Sequence, residues 1–239
     1  MPSPAAGDDP GVLLLRREAP AALAYFSFYV VYLFGRLENE LLHWVSLVVL
    51  PLALIFWARR WEVTHARFAG ALASVGLARG NLKSGLFGAV LVGLALSLLQ
   101  LLGSRHAGRI AEVFASGQFL HLLPLSFGLM LLTAGFTEEF FFRGVLQTRL
   151  SGWLRSHWWA VIVTALLFGL YHLPYAYLNT RWPSHGDWPA AFRLAFGQGV
   201  PAGLILGWVY VRARGNLLAC VLTHTMINML PAMLQVRLG

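Results

Sequence analysis

Three short stretches of this chain carry proton-handling side chains inside apolar sequence. Glu138 and Glu139 stand in Gly135-Phe136-Thr137-Glu138-Glu139-Phe140-Phe141-Phe142-Arg143, His172 closes Phe168-Gly169-Leu170-Tyr171-His172, and His224 opens His224-Thr225-Met226-Ile227-Asn228. An acidic residue at the centre of a membrane helix costs about 2.5 to 3.5 kcal/mol on insertion scales, so an intramembrane carboxylate pair marks a functional site. On a helix, residues four apart share a face and neighbours diverge by about 100°. Glu139 therefore stands one turn before Arg143, in the order that favours an ion pair and lowers the cost of burying both charges. Glu138 has Phe142 at the same offset, which leaves its carboxylate free to act on water. His172 shares a face with Phe168, and His224 with Asn228. A carboxylate, two imidazoles and an amide suit amide hydrolysis: the carboxylate and one histidine can activate water, while the second histidine and the amide can donate to a developing oxyanion. The same Glu138, His172 and His224 also make a zinc shell with a position left open for water. Spacing alone leaves both chemistries open, and zinc is the one cofactor this residue set suggests. His43, His121 and His185 lack such companions and read as bystanders.

The elements that must position these residues are membrane helices. Of the 239 residues, 58% are hydrophobic and only 12% charged, a balance that excludes a soluble domain. A stretch of about 17 to 25 apolar residues crosses the hydrocarbon core as a helix. Seven such stretches can be marked: 19–35, 41–57, 84–102, 119–150 through the glutamates, 158–178, 194–211 and 217–234. The expected fold is an all-α polytopic bundle of about seven transmembrane helices, within a range of six to eight. A tail of residues 1–18 precedes a single membrane-embedded domain over 19–239, with the chemistry in about 119–234. The segment 68–77 reads as an interfacial or re-entrant piece, 103–118 as an interfacial helix, and the aromatic loop 179–189 as an interfacial anchor in preference to a cover over the site. At about 1.5 Å of rise per residue, Glu138, His172, His224 and Asn228 lie roughly 10 to 21 Å from the ends of their helices nearest the N-terminal side, so all four can meet in one layer.

The net charge of +8 does not imply nucleic acid, because the basic residues are scattered between apolar runs and form no basic stripe. They read as topology signals. Twelve Lys and Arg residues fall on the N-terminal side and six on the other, or eleven against six without Arg143, which favours a cytoplasmic N-terminus and an external C-terminus. Asp8 and Asp9 precede only a short apolar cluster, which is no secretory signal, and the single Cys220 excludes an internal disulfide and a CxxC motif. The abundance of Ala, Gly, Leu, Arg and Trp suits a GC-rich bacterial gene, so the expected location is the bacterial cytoplasmic membrane.

The three motifs, in this order and on separate helices, resemble those of the CAAX-prenyl-protease and bacteriocin-processing (CPBP, or Abi) family of intramembrane endopeptidases. The family's EExxxR is similar to Glu138 to Arg143, its FxxxH to Phe168 to His172, and its HxxxN to His224 to Asn228. The resemblance implies a site sunk between helices and a membrane-associated protein or peptide as substrate, cut near its C-terminus or at a leader junction. It implies water activation by Glu138 and His172, oxyanion stabilisation by His224 and Asn228, and supporting roles for Glu139, Arg143 and Phe168. Both a metalloprotease and a metal-free, glutamate-dependent mechanism are argued for the family. A myxosortase-like trimming of C-terminal anchor tails is one of the roles it suggests. The alternative reading is a non-enzymatic membrane protein, either a proton- or ion-coupled transporter or an immunity or scaffold protein, that uses the same buried polar cluster.

Overall fold

The computed structural model describes residues 10–37, 39–60, 64–103 and 106–236. Asp8, Asp9, Glu38, Arg105 and Arg237 lie outside these residues, as do the side chains of Arg67 and Arg79. Among the described residues the regular structure is helical and contains no strand. The helices are α1 (Pro10–Gly35), α2 (Glu40–Ala58), α3 (Thr64–Ser74), α4 (Leu86–Gly103), α5 (Ala107–Ala115), α6 (Phe119–Leu154), α7 (His157–Leu178), α8 (Trp188–Arg212) and α9 (Leu217–Gln235). Six of them (α2, α4, α6, α7, α8 and α9) are long and apolar enough to cross a membrane. The other expected span, 19–35, is helical but belongs to α1, which carries Arg16, Arg17 and Glu18 and is not among the six. Because α1 begins at Pro10, it takes in the second half of the segment read as a tail.

Helix starts follow capping chemistry. Asn39 accepts from Leu42 N, Ser156 from Trp159 N, Asp187 from Ala190 N and Asn216 from Leu218 N, so each side chain satisfies a first-turn N–H that has no helical partner. The turn after α6 closes on Arg155 and the turn after α8 on Arg214, both in the left-handed region at φ 53° and 56°. Three helices carry π-helical turns: Val45–Val49 in α2, Leu131–Gly135 and Phe140–Gln147 in α6, on either side of the glutamates, and Ala195–Gly199 in α8. Such turns recur at functional sites because one extra residue re-aims the side chains that follow.

Buried polar bonds pin one end of the bundle. Glu18 of α1 takes Arg59 Nε at 2.9 Å and Arg149 Nη2 at 2.8 Å, so one carboxylate joins α1, the end of α2 and the end of α6. Arg149 also donates to Ser74 O at 3.1 Å, which brings the end of α3 to the same place. Asn81 Nδ2 donates to Arg214 O at 2.8 Å, and Asn216 Nδ2 to Leu82 O and Ser84 O at 2.9 and 2.7 Å, which ties the approach to α4 onto the α8–α9 turn. The chain between Arg59 and Ser84 thus starts and finishes at one end of the bundle. The segment 68–77 is not a span: α3 packs inward there, with Ala71 and Val75 fully buried against the cluster that holds Phe140, Phe141 and Phe142. Helix pairs elsewhere meet through small residues and hydroxyl bonds, as in a bilayer, where lipid removes the hydrophobic drive to associate. Ser97 of α4 donates to Met226 O at 2.7 Å and Thr223 of α9 to Ala89 O at 3.1 Å.

Glu18→Gln keeps the shape of this knot and removes the one acid that pairs with its two buried arginines among the described residues. The expected loss is about 3 to 5 kcal/mol, seen as a lower thermal unfolding midpoint of the purified protein in detergent, whereas Arg60→Gln on the exposed side of α2 should leave the midpoint in place.

Candidate active site

Helix α6 delivers both glutamates to the interior, and they separate as the spacing implies. Glu139 is fully buried, and its Oε1 lies 2.8 Å from Arg143 Nη1, one turn along the same helix. The same oxygen lies 2.7 Å from His224 Nδ1 on α9. Glu139 is therefore a bridge between two helices as well as an intrahelical partner. Arg143 continues the network, with Nη2 donating to Gly203 O of α8 at 3.1 Å, while Gln147 one turn later donates to Gly207 O, also at 3.1 Å. Two side chains four apart on α6 thus reach two carbonyls four apart on α8. Gly135, one turn before Glu139, lets α6 approach α9 this closely, since a Cβ there would run into Thr225 Oγ1 beside His224.

Glu138 points the other way, onto a cavity of about 1380 Å³ that is also lined by His172, His224 and Asn228. Its Oε2 is 4.0 Å from His172 Nε2 and 4.0 Å from His224 Nε2. Its Oε1 accepts from Tyr171 OH at 3.4 Å. The ring orientations are decided behind the site. His172 Nδ1 faces Phe168 O at 2.8 Å, and because a carbonyl only accepts, Nδ1 carries the proton and Nε2 presents its lone pair to the cavity. His224 is held through Nδ1 by Glu139, leaving its Nε2 to the cavity. Phe168 fills the space between the charged groups: its ring lies 4.7 Å from the Arg143 guanidinium, 4.5 Å from the His172 ring and 6.1 Å from the His224 ring. α7 meets α8 behind His172 at Gly169 and Gly199, where a Cβ on Gly199 would sit 3.2 Å from Gly169 Cα.

The residues singled out from the sequence therefore converge. Glu138, Phe168, His172, His224 and Asn228 share one cavity wall, and Glu139 and Arg143 stand directly behind it. Three participants were not legible. Tyr171 reaches Glu138, and Tyr175 OH lies 3.5 Å from His43 Nδ1, so His43, a bystander by spacing, lines the same cavity. Their signal is tertiary, because α2 carries His43 and packs against α7 only in the fold. Trp182 and Pro183, in the loop expected as an anchor, also line the cavity.

The same geometry tests the zinc set. Donors in a tetrahedral zinc shell stand about 3.3 Å apart, given bonds of about 2.0 to 2.1 Å, and the two 4.0 Å separations here are wider. Among the described residues no group of three His, Cys, Asp or Glu closes to a metal-holding set. A water oxygen, which sits about 2.8 Å from each hydrogen-bond partner, bridges Glu138 Oε2 and a histidine Nε2 at an angle near about 90°. The residues as placed fit water better than zinc.

Charge removal separates the two glutamates. Glu139→Gln strands the buried Arg143 and should cost about 3 to 5 kcal/mol. Glu138 has a buried Oε2 with no hydrogen-bond partner, so Glu138→Gln should leave the thermal midpoint in detergent unchanged or raise it.

Residues 120–230 match the family model described as type II CAAX prenyl endopeptidase Rce1-like. That segment, just under half of the chain, contains all three motifs and is similar to the CAAX protease family that the motifs resemble. No curated protein and no solved structure matches the chain.

Proposed function

We propose that this chain is an intramembrane endopeptidase that cuts a peptide bond near the C-terminus or at the leader junction of a membrane-associated protein or peptide. The observation that carries the reading is the position of Glu138 Oε2, 4.0 Å from the Nε2 atoms of both His172 and His224 on the wall of a water-sized-to-peptide-sized cavity. The match of residues 120–230 to the Rce1-like family model supports a CAAX-type intramembrane protease.

In the proposed reaction a water donates one hydrogen to Glu138 Oε2 and the other to His172 Nε2, which turns its oxygen lone pairs toward the substrate carbonyl. As the oxygen attacks, Glu138 takes the proton, and it returns that proton to the leaving nitrogen when the C–N bond breaks. His224 carries both ring protons in this scheme, Nδ1–H on Glu139 and Nε2–H toward the cavity, where with the Asn228 amide it donates to the oxyanion. With His224 as imidazolium, the charges of Glu138, Glu139, Arg143 and His224 sum to zero, which suits a buried cluster. Tyr171 steadies the other Glu138 oxygen. Conduction would need a path past the glutamates, and there stand Phe140, Phe141 and Phe142, all buried, which supports hydrolysis over transport.

The test compares wild type with Glu138→Gln in cells by mapping protein C-termini and leader junctions by mass spectrometry. Cleaved termini present in wild type should vanish in the variant, a loss of about 10²- to 10⁴-fold in rate for removing a general base. Asn228→Ala should cost about 10²- to 10³-fold as one oxyanion donor is lost. Cleavage by the purified protein should survive exhaustive chelation; activity lost to chelation and returned by zinc would overturn the water-only scheme. Identical termini in wild type and a well-folded Glu138→Gln would overturn the peptidase reading itself.

A further inference from the structure

The cavity reaches one face of the bundle only. Its lining comes from the start of α2 (Asn39, Glu40), the end of α4, the α7–α8 loop (Arg181) and the end of α9 (Gln235). On α6 the lining stops at Glu138, on α7 it begins at Phe168, and on α9 at His224. Helix directions make these the same end: α2, α6 and α8 begin there, while α4, α7 and α9 finish there. The opposite end is the pinned one, where Glu18, Arg59, Ser74 and Arg149 meet. Between the two ends lie the buried phenylalanines that follow the glutamates.

Which face is which follows from charge, once the number of crossings is settled. The α3 segment would reverse the count if it crossed the membrane. It does not, because Arg59 before it and Ser74 at its end are joined to one another through Glu18 and Arg149, and its 11 residues are too few to span. By sequence position, and leaving aside Arg143 at the site, eleven Lys and Arg residues belong to the pinned end and six to the cavity end. Cytoplasmic connections carry the excess.

We infer that the cavity opens to the extracytoplasmic side of the membrane, so that the substrate is a polypeptide already carried across it, such as the membrane-anchored tail or leader junction of an exported protein. The substrate half of this inference rests on the peptidase reading; the sidedness does not. A cytoplasmic segment would meet the pinned face, where the buried Glu18 knot and the Phe140 to Phe142 layer separate it from Glu138.

Cysteine accessibility tests the sidedness. The wild-type chain, whose one cysteine, Cys220, is buried, serves as the blank. In bacterial spheroplasts treated with a membrane-impermeant maleimide, Arg181→Cys and Gln235→Cys should label as fully as in permeabilised cells. Arg212→Cys, at the pinned end of α8, should label only after permeabilisation. The reverse pattern overturns the inference. A C-terminal alkaline phosphatase fusion, active only outside the cytoplasm, gives the same answer independently: activity supports an external C-terminus and inactivity at normal expression overturns it. The substrate half is read from the termini lost in Glu138→Gln. Loss confined to exported proteins supports it, and loss confined to cytoplasmic proteins overturns it while leaving the peptidase reading intact. Correct labelling with no change in any terminus removes the peptidase reading and the substrate half together, with the sidedness standing.

Discussion

The structure turns on one carboxylate oxygen. Glu139 Oε1 receives Arg143 at 2.8 Å and His224 Nδ1 at 2.7 Å, so a single atom closes α6 on itself and joins it to α9. Buried charges are tolerated only when they are paired and hydrogen-bonded, and this pairing propagates: Arg143 reaches the Gly203 carbonyl of α8 and lies over the Phe168 ring of α7. Three helices are thereby set in register around a carboxylate that is not itself a cavity wall. The placement of the His224 ring, and through Phe168 the spacing of the His172 ring, descend from it.

Close approach makes this network reachable. Without a hydrophobic drive between helices in lipid, contact depends on shape and polar bonds. The glycines at 135, 169 and 199 bring backbones close at α6–α9 and α7–α8, and across the first of these contacts Glu139 reaches His224. Between the two π-helical segments of α6, the ordinary divergence of helix neighbours by about 100° turns Glu138 to the cavity and Glu139 to the protein. At the far end Glu18 repeats the principle with Arg59 and Arg149, and the two charged knots, one behind the site and one at the pinned face, hold α6 at two heights.

Between the knots the polar groups have unequal fates. Glu139 and Arg143 are paired against each other, whereas Glu138 keeps an oxygen with no partner, aimed between two imidazole nitrogens. An unpaired buried oxygen lowers stability, and Glu139 Oε2 and Arg143 Nε are unpaired too, but only the Glu138 oxygen stands on the cavity wall, where water and substrate can reach it. A fold that places it at the blind end of a one-sided cavity also separates that chemistry from the other face of the membrane.

Most of this design can be traced to local rules in the sequence. Apolar run length determined the six helices α2, α4, α6, α7, α8 and α9, with the largest boundary difference at the start of α8, because in lipid the backbone must satisfy itself and a helix of fixed rise is the simple solution. The i, i+4 rule determined that Glu139 pairs with Arg143 and that Glu138 does not, and helix rise put the site residues at one depth. What periodicity cannot carry is the identity of neighbours on other helices. That His224 belongs to Glu139, that Tyr171 steadies Glu138, that His43 lines the cavity, and that α3 turns back toward Arg149 were decided only when packing brought distant residues together. Spacing along a chain encodes which face a residue occupies, and only the tertiary structure decides what that face meets.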